Sequence, residues 1–186
     1  MPHRRLHASL SPFRNTWPRT YPACRRLTRR SFAASEGANV TSDLSFVREI
    51  GSRDSFLAVV ATTRADGSVQ TSVVNAGVIE HPVSGLEVVG FVAQGGALKL
   101  RNLRTRPQAT AVFRSGWQWV AVEGIAEIAG PDDDLDGVGP EGLRQLLRAV
   151  FTAAGGSHDD WDEYDRVMAE DRRAVVLITP ERVYPA

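Results

Sequence analysis

The chain has 186 residues, 42% of them hydrophobic and 24% charged, which suits one folded domain with a substantial core. No apolar run approaches the roughly 20 residues needed to cross a bilayer, so no membrane-spanning helix is expected. The single cysteine, Cys24, excludes an internal disulfide, and no Cys/His group has metal-site spacing.

Charge is placed unevenly along the chain. Residues 1–35 hold eight arginines and no acid, whereas residues 36–186 hold 14 basic and 22 acidic residues, a net charge of −8. Nucleic-acid affinity comes mostly from neutralising phosphates, so an acidic body argues against such a partner. Residues 1–40 scatter Pro2, Pro12, Pro18 and Pro22 among Arg, Ser and Thr without apolar periodicity, which predicts a disordered basic tail. That composition suits a targeting segment, and it also suits translated upstream DNA ahead of a start at Val40, the reading we prefer. The folded domain is expected over residues 41–186, in the cytoplasm.

Thr41 to Ile50 reads as a short helix with Ser42 or Asp43 as N-cap and Leu44, Val47 and Ile50 as its apolar stripe. Phe56–Thr62 is a β-branched run that ends at the turn signal Asp66-Gly67. Strands follow at Val69–Ile79 and Leu86–Ala93, and then Gly95-Gly96 opens a short helix, Ala97–Arg104, stopped by Pro107. Gln108–Arg114 and Trp117–Ile128 form the next hairpin, followed by an acidic loop from Gly130 to Pro140. Leu143, Leu146, Leu147, Val150 and Phe151 mark a helix. Ser157-His-Asp-Asp160 has capping-box spacing ahead of a helix carrying Trp161, Tyr164, Val167 and Met168. Ala174–Ile178 is a strand, with a shorter extended piece at Arg182–Tyr184. Hairpins without βαβ alternation indicate a mainly β (α+β) fold, an antiparallel barrel with peripheral helices.

Lys99 is the only lysine of the chain, and it follows the glycine pair. A helix start offers unpaired N–H groups to an anion, and Lys99, Asn102 and Arg106 share one helical face. The same spacing also suits an ordinary amphipathic helix with a solvated basic face. On the strand Val69–Ile79, Gln70 and Ser72 point to one side, where the Ser72 hydroxyl can meet either a phosphate or water. Trp117 and Trp119 share a strand face that suits a flat ring system as well as a core or interface. His3, His7, His81 and His158 lie in the tail, a turn or beside a helix cap, and no Ser/His/Asp set has recognisable spacing. The acidic runs Asp132–Asp134 and Asp159-Asp160 read as solvated loop and cap positions, without metal-ligand spacing. No catalytic side chain and no metal site are expected.

Lys99-Leu-Arg-Asn102-Leu-Arg104 followed by Pro107 and a strand resembles the signature of the pyridoxamine-5′-phosphate-oxidase-like, FMN-binding split barrels. Gly116-Trp117-Gln-Trp119-Val-Ala-Val-Glu123-Gly124 resembles the strand that follows in that family. The motifs at His158–Tyr164, Asp171-Arg172-Arg173 and Val183-Tyr184 are similar to the branch of small actinobacterial proteins that bind the deazaflavin coenzyme F420. The resemblance implies a split β-barrel homodimer with cofactor sites at the subunit interface. It places the cofactor phosphate near Lys99 and Asn102, with Ser72 and Gln70 assisting and Trp117 and Trp119 bordering the ring or substrate. In relatives the position of Ala97 is commonly basic, so this chain offers fewer cations to a long polyglutamate tail. The implied function is hydride transfer from reduced F420 to an electrophilic small-molecule acceptor of the enone, quinone or tetrapyrrole type. The alternatives are an FMN-dependent oxidase or reductase of the same fold, and a non-catalytic cofactor or heme carrier.

Overall fold

Six strands are written into the sequence by β-branched runs that alternate between two faces, and the computed structural model describes them within residues 43–185. They are β1 (Leu57–Thr63), β2 (Val69–Glu80), β3 (Glu87–Ala93), β4 (Gln108–Ser115), β5 (Gln118–Ala129) and β6 (Ala174–Pro185). All pair antiparallel and close into a barrel in the order β1-β2-β3-β6-β5-β4. Four helices accompany them: α1 (Ser45–Ser52), α2 (Leu98–Leu103), α3 (Pro140–Ala153) and α4 (Trp161–Glu170). The basic tail read from residues 1–40 lies outside the described residues.

On β1, inward Ala58, Val60 and Thr62 are buried while outward Leu57 and Val59 are exposed. This alternation is that of a sheet with one packed face. Phe91, Phe113, Val120, Val122, Val176 and Ile178 fill the barrel from the other strands. Leu44, Val47 and Ile50 of the α1 segment and Leu100 and Leu103 of α2 complete the same core. Strand β3 and the Ala174–Ile178 half of β6 are buried on both faces, which is why that half reads as an unbroken apolar run. Their outer side chains, Val88, Val175 and Leu177, meet Leu146, Leu147 and Val150 of α3 and Tyr164 of α4.

Several expected boundaries shift. The first helix covers Ser45–Ser52, with the Asp43 carboxylate accepting from the Ser45 N–H at 2.8 Å. The cap of α4 is Asp160, which accepts from the Asp162 and Glu163 N–H groups, and the box expected to start at Ser157 does not form. The two expected pieces at 174–178 and 182–184 are one strand. Pro180 pairs with Gly124 and Arg182 with Glu123, leaving Glu181 as the extra residue of a β-bulge that carries β6 past the proline. Gly124 is required there, because a Cβ would lie 2.8 Å from the Thr179 carbonyl carbon and closer still to its oxygen. The acidic loop is not simply solvated, since Asp133 clasps Arg104 through two hydrogen bonds of 2.6 and 2.7 Å.

Strand β2 serves two neighbours in succession. Val69–Asn75 pair with β1, whereas Ala76–Glu80 pair with β3. Val92 and Ala93 of β3 pair only with β6, so β2 and β3 part company beyond the Ala76–Phe91 pair. At the start of the shared part, α3 rests on bare backbone. A Cβ on Gly77 would lie 2.7 Å from the Ala154 nitrogen and closer still to the Ala153 carbonyl. Gly77→Ala is therefore expected to push α3 away at a cost of about 1–3 kcal/mol. Thermal unfolding followed by circular dichroism should show Tm falling by several degrees.

Candidate functional site

Where β2 leaves β3, a cavity of about 490 Å³ opens. Val73, Val74 and Asn75 of β2 form one wall and Val92, Ala93 and Gln94 the opposite one. Ala97 and Lys99 enter from α2, Phe151 and Ala154 from the end of α3, and Tyr164, Met168 and Arg173 from α4 and its exit. The main chain of β2 contributes as well. The Ala76 N–H points back to the Phe56 carbonyl at 2.9 Å. Antiparallel alternation then turns the N–H and C=O groups of Val73 and Asn75 the other way, toward the gap.

Lys99 is held half-buried in this cavity. Burial alone pushes its ammonium pKa below the ordinary lysine value, with no carboxylate acting in the opposite sense. An ammonium in such a place lacks the partner that partly buried charges normally have. The loop before it is built by close approach. A Cβ on Gly95 would lie 2.6 Å from the Arg172 carbonyl oxygen, and Gly96 adopts φ +76°. One of the amides expected to be free at this helix start is engaged, because Ala97 N–H donates to Gln94 O at 3.2 Å, and Gly95 N–H before it donates to Asp171 O at 3.2 Å. The helix is also shorter than expected, Leu98–Leu103 in place of Ala97–Arg104.

The structure separates Lys99 from Asn102. Leu100 and Leu103 are drawn into the barrel core, and Asn102, between them on the helix, is only 5% exposed. Its amide donates to Thr62 Oγ1 at 3.0 Å, and the Thr62 hydroxyl donates to Gln70 Oε1 at 3.0 Å. Asn102 and Gln70 thus meet through Thr62, which the sequence did not single out. Ser72 lies on the same inward face of β2, between Gln70 and the cavity residue Val74. Its Oγ is buried and has no hydrogen-bond partner among the described residues. A buried hydroxyl without a partner is costly and points to a missing ligand or water.

Trp117 and Trp119 do not line this cavity. Trp117 is 97% exposed at the β4–β5 turn, and Trp119 stands edge-on to Tyr184 with ring centroids 6.1 Å apart. Conversely, Asn75 and Arg173 line the cavity although residue-by-residue reading did not propose them. Asn75 is anchored by donating to Ser55 O at 2.8 Å, and Arg173 by Asp171 at 2.8 Å. Arg173 had one available signal, the Asp171-Arg172-Arg173 motif. Tyr164 is an inert wall, with its hydroxyl donating to Leu147 O at 3.1 Å and its pKa pushed up to about 12, chiefly by burial. His81 and His158 are structural acceptors. The His81 Nδ1 takes the Val83 and Ser84 N–H groups, and the His158 Nδ1 takes that of Asp160.

No known family model matches the chain. Among solved structures, a conserved hypothetical protein from Mycobacterium tuberculosis is similar at TM-score 0.56 and 20% identity, over 82% of this chain and 89% of that one. A pyridoxamine 5′-phosphate oxidase-related, FMN-binding protein from Nostoc punctiforme PCC 73102 is similar at TM-score 0.54 and 12% identity, over 78% and 85% of the two chains. An F420 reductase is similar at TM-score 0.50 and 15% identity, over 71% and 91%. The fold is the split barrel of these proteins. The architecture read from the order of motifs is therefore the one found, and at such low identity the likeness concerns fold alone.

The charge on Lys99 yields a prediction with a definite sign. A lysine pKa lowered in the folded state penalises folding fully below the folded pKa and ceases to do so above the unfolded one. At neutral pH, Lys99→Met removes that penalty while keeping the chain length. Differential scanning calorimetry should find Tm unchanged or raised without ligand; a clear fall would mean that Lys99 holds the fold instead.

Proposed function

We propose that the cavity at the split holds a phosphorylated redox cofactor, with F420 as the favoured occupant, and that the protein is a reductase of electrophilic small molecules. The observation that carries this reading is the half-buried Lys99 ammonium with no acid beside it, in a cavity whose rim also presents unpaired strand backbone. The residues present fit such a group. Lys99 suits the phosphate, because a cation in a half-dry recess favours a multiply charged anion more strongly than it would in open water. The outward-turned N–H and C=O groups of Val73 and Asn75 suit the polar edge of a planar ring. The unsatisfied Ser72 hydroxyl, one pleat deeper, suits an acceptor oxygen on the ligand. Asn102 and Gln70 act behind it as positioning residues, since their hydrogen bonds run through Thr62 on the barrel side.

When bound, reduced F420 supplies a hydride to the acceptor. The chain's own part is to bind, orient and exclude water. Among the cavity-lining residues, Tyr164 is engaged and hard to ionise, and Arg173 is tied to Asp171, so neither serves as a proton donor near neutral pH. Lys99 is engaged with the phosphate in this reading, so solvent completes the reduction and no catalytic side chain is assigned.

A second copy of the chain completes this picture. Val73, Val59, Val112, Ala121 and Tyr184 stand in one register row across five strands. Val73 is 64% exposed, Val59 41% and Tyr184 39%, whereas Ala121 is buried. An apolar band of this kind suits a homodimer interface, through which Trp117 and Trp119 reach the partner's cavity. The working body is residues 41–186, acting on a small-molecule acceptor in the cytoplasm, away from nucleic acid and membranes; no described helix is long and apolar enough to cross a bilayer.

One feature favours FMN as the second reading. Ala97 places a methyl group on the cavity wall where a longer anionic tail would benefit from a cation. A carrier without turnover, for flavin or heme, uses the same recess.

Anaerobic titration of the purified full chain with F420, FMN and hemin, followed by visible absorbance, tests these readings in one experiment. F420 is expected to bind tightest, and Lys99→Ala is expected to weaken it roughly 10- to 100-fold, the loss of one charge-assisted hydrogen bond. Equal affinity of the variant would remove Lys99 from the site. A Val59→Asp/Val73→Asp double variant is expected to sediment as a monomer and to lose cofactor affinity with it. A wild-type chain that sediments as a monomer would reject the interface.

A further inference from the structure

Lys99 carries the only ε-amine of the chain, and the fold seats it in a cavity wall instead of on open surface. Burial favours the neutral form of an amine, and here it lowers the ammonium pKa with nothing acting against it. A neutral amine is a nucleophile, and desolvation in a partly apolar recess is one way in which lysines become reactive. No carboxylate lines the cavity among the described residues to hold the charged form in place. The other ionisable groups of the wall, Tyr164 and Arg173, are engaged by Leu147 O and by the Asp171 carboxylate.

The same recess favours one kind of electrophile. Arg173 gives its Nε and Nη2 groups to Asp171, at 3.1 and 2.8 Å, and its Nη1 group has no partner among the described residues. The outward N–H groups of Val73 and Asn75 face the gap from β2. These donors suit the oxygens of a phosphate, while Val92, Ala97 and Met168 offer apolar wall to a short acyl chain. A phosphate held by Arg173 and strand amides does not need the ammonium as its partner. The Lys99 amine is then available to react.

We propose that Lys99 is a modification site, acylated by small acyl phosphates. The Nζ lone pair attacks the acyl carbon, and a C–N bond forms as the C–O bond to phosphate breaks. Inorganic phosphate leaves, and the amine proton passes to water. The product amide is neutral and bulkier than the amine. Resting on the reading of this cavity as the cofactor site, acylation switches the protein off, because it removes the charge that meets the cofactor phosphate and fills the space beside it. A bound cofactor in turn shields Lys99, so that only the empty protein is modified.

The test uses the full chain with acetyl phosphate as probe, followed by intact mass and peptide mapping, where a single lysine makes the assignment unambiguous. Cofactor-free protein is expected to gain an acetyl group at Lys99 roughly tenfold faster than Nα-acetyl-lysine methylamide in the same solution, since a phosphate held beside the amine raises its effective concentration. Inorganic phosphate is expected to slow the reaction, and Arg173→Gln to abolish the advantage. Phenyl acetate, an uncharged donor, is expected to label Arg173→Gln and the wild type at the same rate. Labelling of Lys99 no faster than the reference amine, or indifferent to inorganic phosphate, would overturn the proposal. An undiminished advantage in Arg173→Gln would overturn the anchoring that selects acyl phosphates. Saturating F420 is expected to protect Lys99, and the acetylated protein to bind F420 as weakly as Lys99→Ala does. Fast, phosphate-sensitive labelling that F420 fails to slow would keep the modification site and reject the cofactor reading alone.

Discussion

Strand β2 is the element on which the rest of the molecule depends, because it pairs with β1 along its first half and with β3 along its second. A strand that changes partners leaves backbone donors and acceptors without a ladder on one side. Burying such groups without partners is costly, so a fold keeps them only where something else can meet them. The cavity at the split is the direct result, and its walls are two strand edges that no longer touch. Gly77 fixes where the separation begins, since α3 lies against its bare backbone and holds the joined part together.

Electrostatics follow from this geometry. The body of the chain is acidic overall, yet the recess at the split presents Lys99 and Arg173. Arg173 is neutralised by Asp171, which leaves the Lys99 charge as the one that faces the cavity without an acid partner. Holding an ammonium in this way opposes folding, and a chain under selection for stability alone would replace it. Such local sacrifices of stability are characteristic of binding sites. Ser72 Oγ, buried without a hydrogen-bond partner among the described residues, lies only one pleat away from the cavity wall.

Helix α2 shows how one short element can serve two purposes. Leu100 and Leu103 secure it to the barrel core, and Asn102 is carried inward with them to join Thr62 and Gln70. The hydrogen-bonded chain fixes the rotation of the helix, and that rotation is what leaves Lys99 pointing into the recess. Arg104, at the far end, is clasped by Asp133 of the acidic loop, which anchors the helix from outside. The placement of Lys99 therefore depends on groups that do not themselves line the cavity.

Much of this protein was legible in its sequence. Alternating runs such as Phe56–Thr62 and turn signals such as Asp66-Gly67 act over a few residues, so strand order and hairpin connectivity followed from local pattern. Lys99 stood out because it has no other lysine for company. Tertiary structure alone decided what depended on distant partners. Pro180 sits inside one continuous strand because a bulge at Glu181 meets Gly124 across the sheet, and no local pattern encodes that neighbour. Asn102 turned inward because Thr62, forty residues away, offers it a hydroxyl. Asn75 and Arg173 reached the same cavity only through the parting of β2 from β3. Trp117 falls in the β4–β5 turn and only Trp119 lies on β5, so the expected shared strand face does not form, and neither ring lines the cavity that holds Lys99. Periodicity tells which side of an element a residue occupies, but closure of the barrel determines what that side meets.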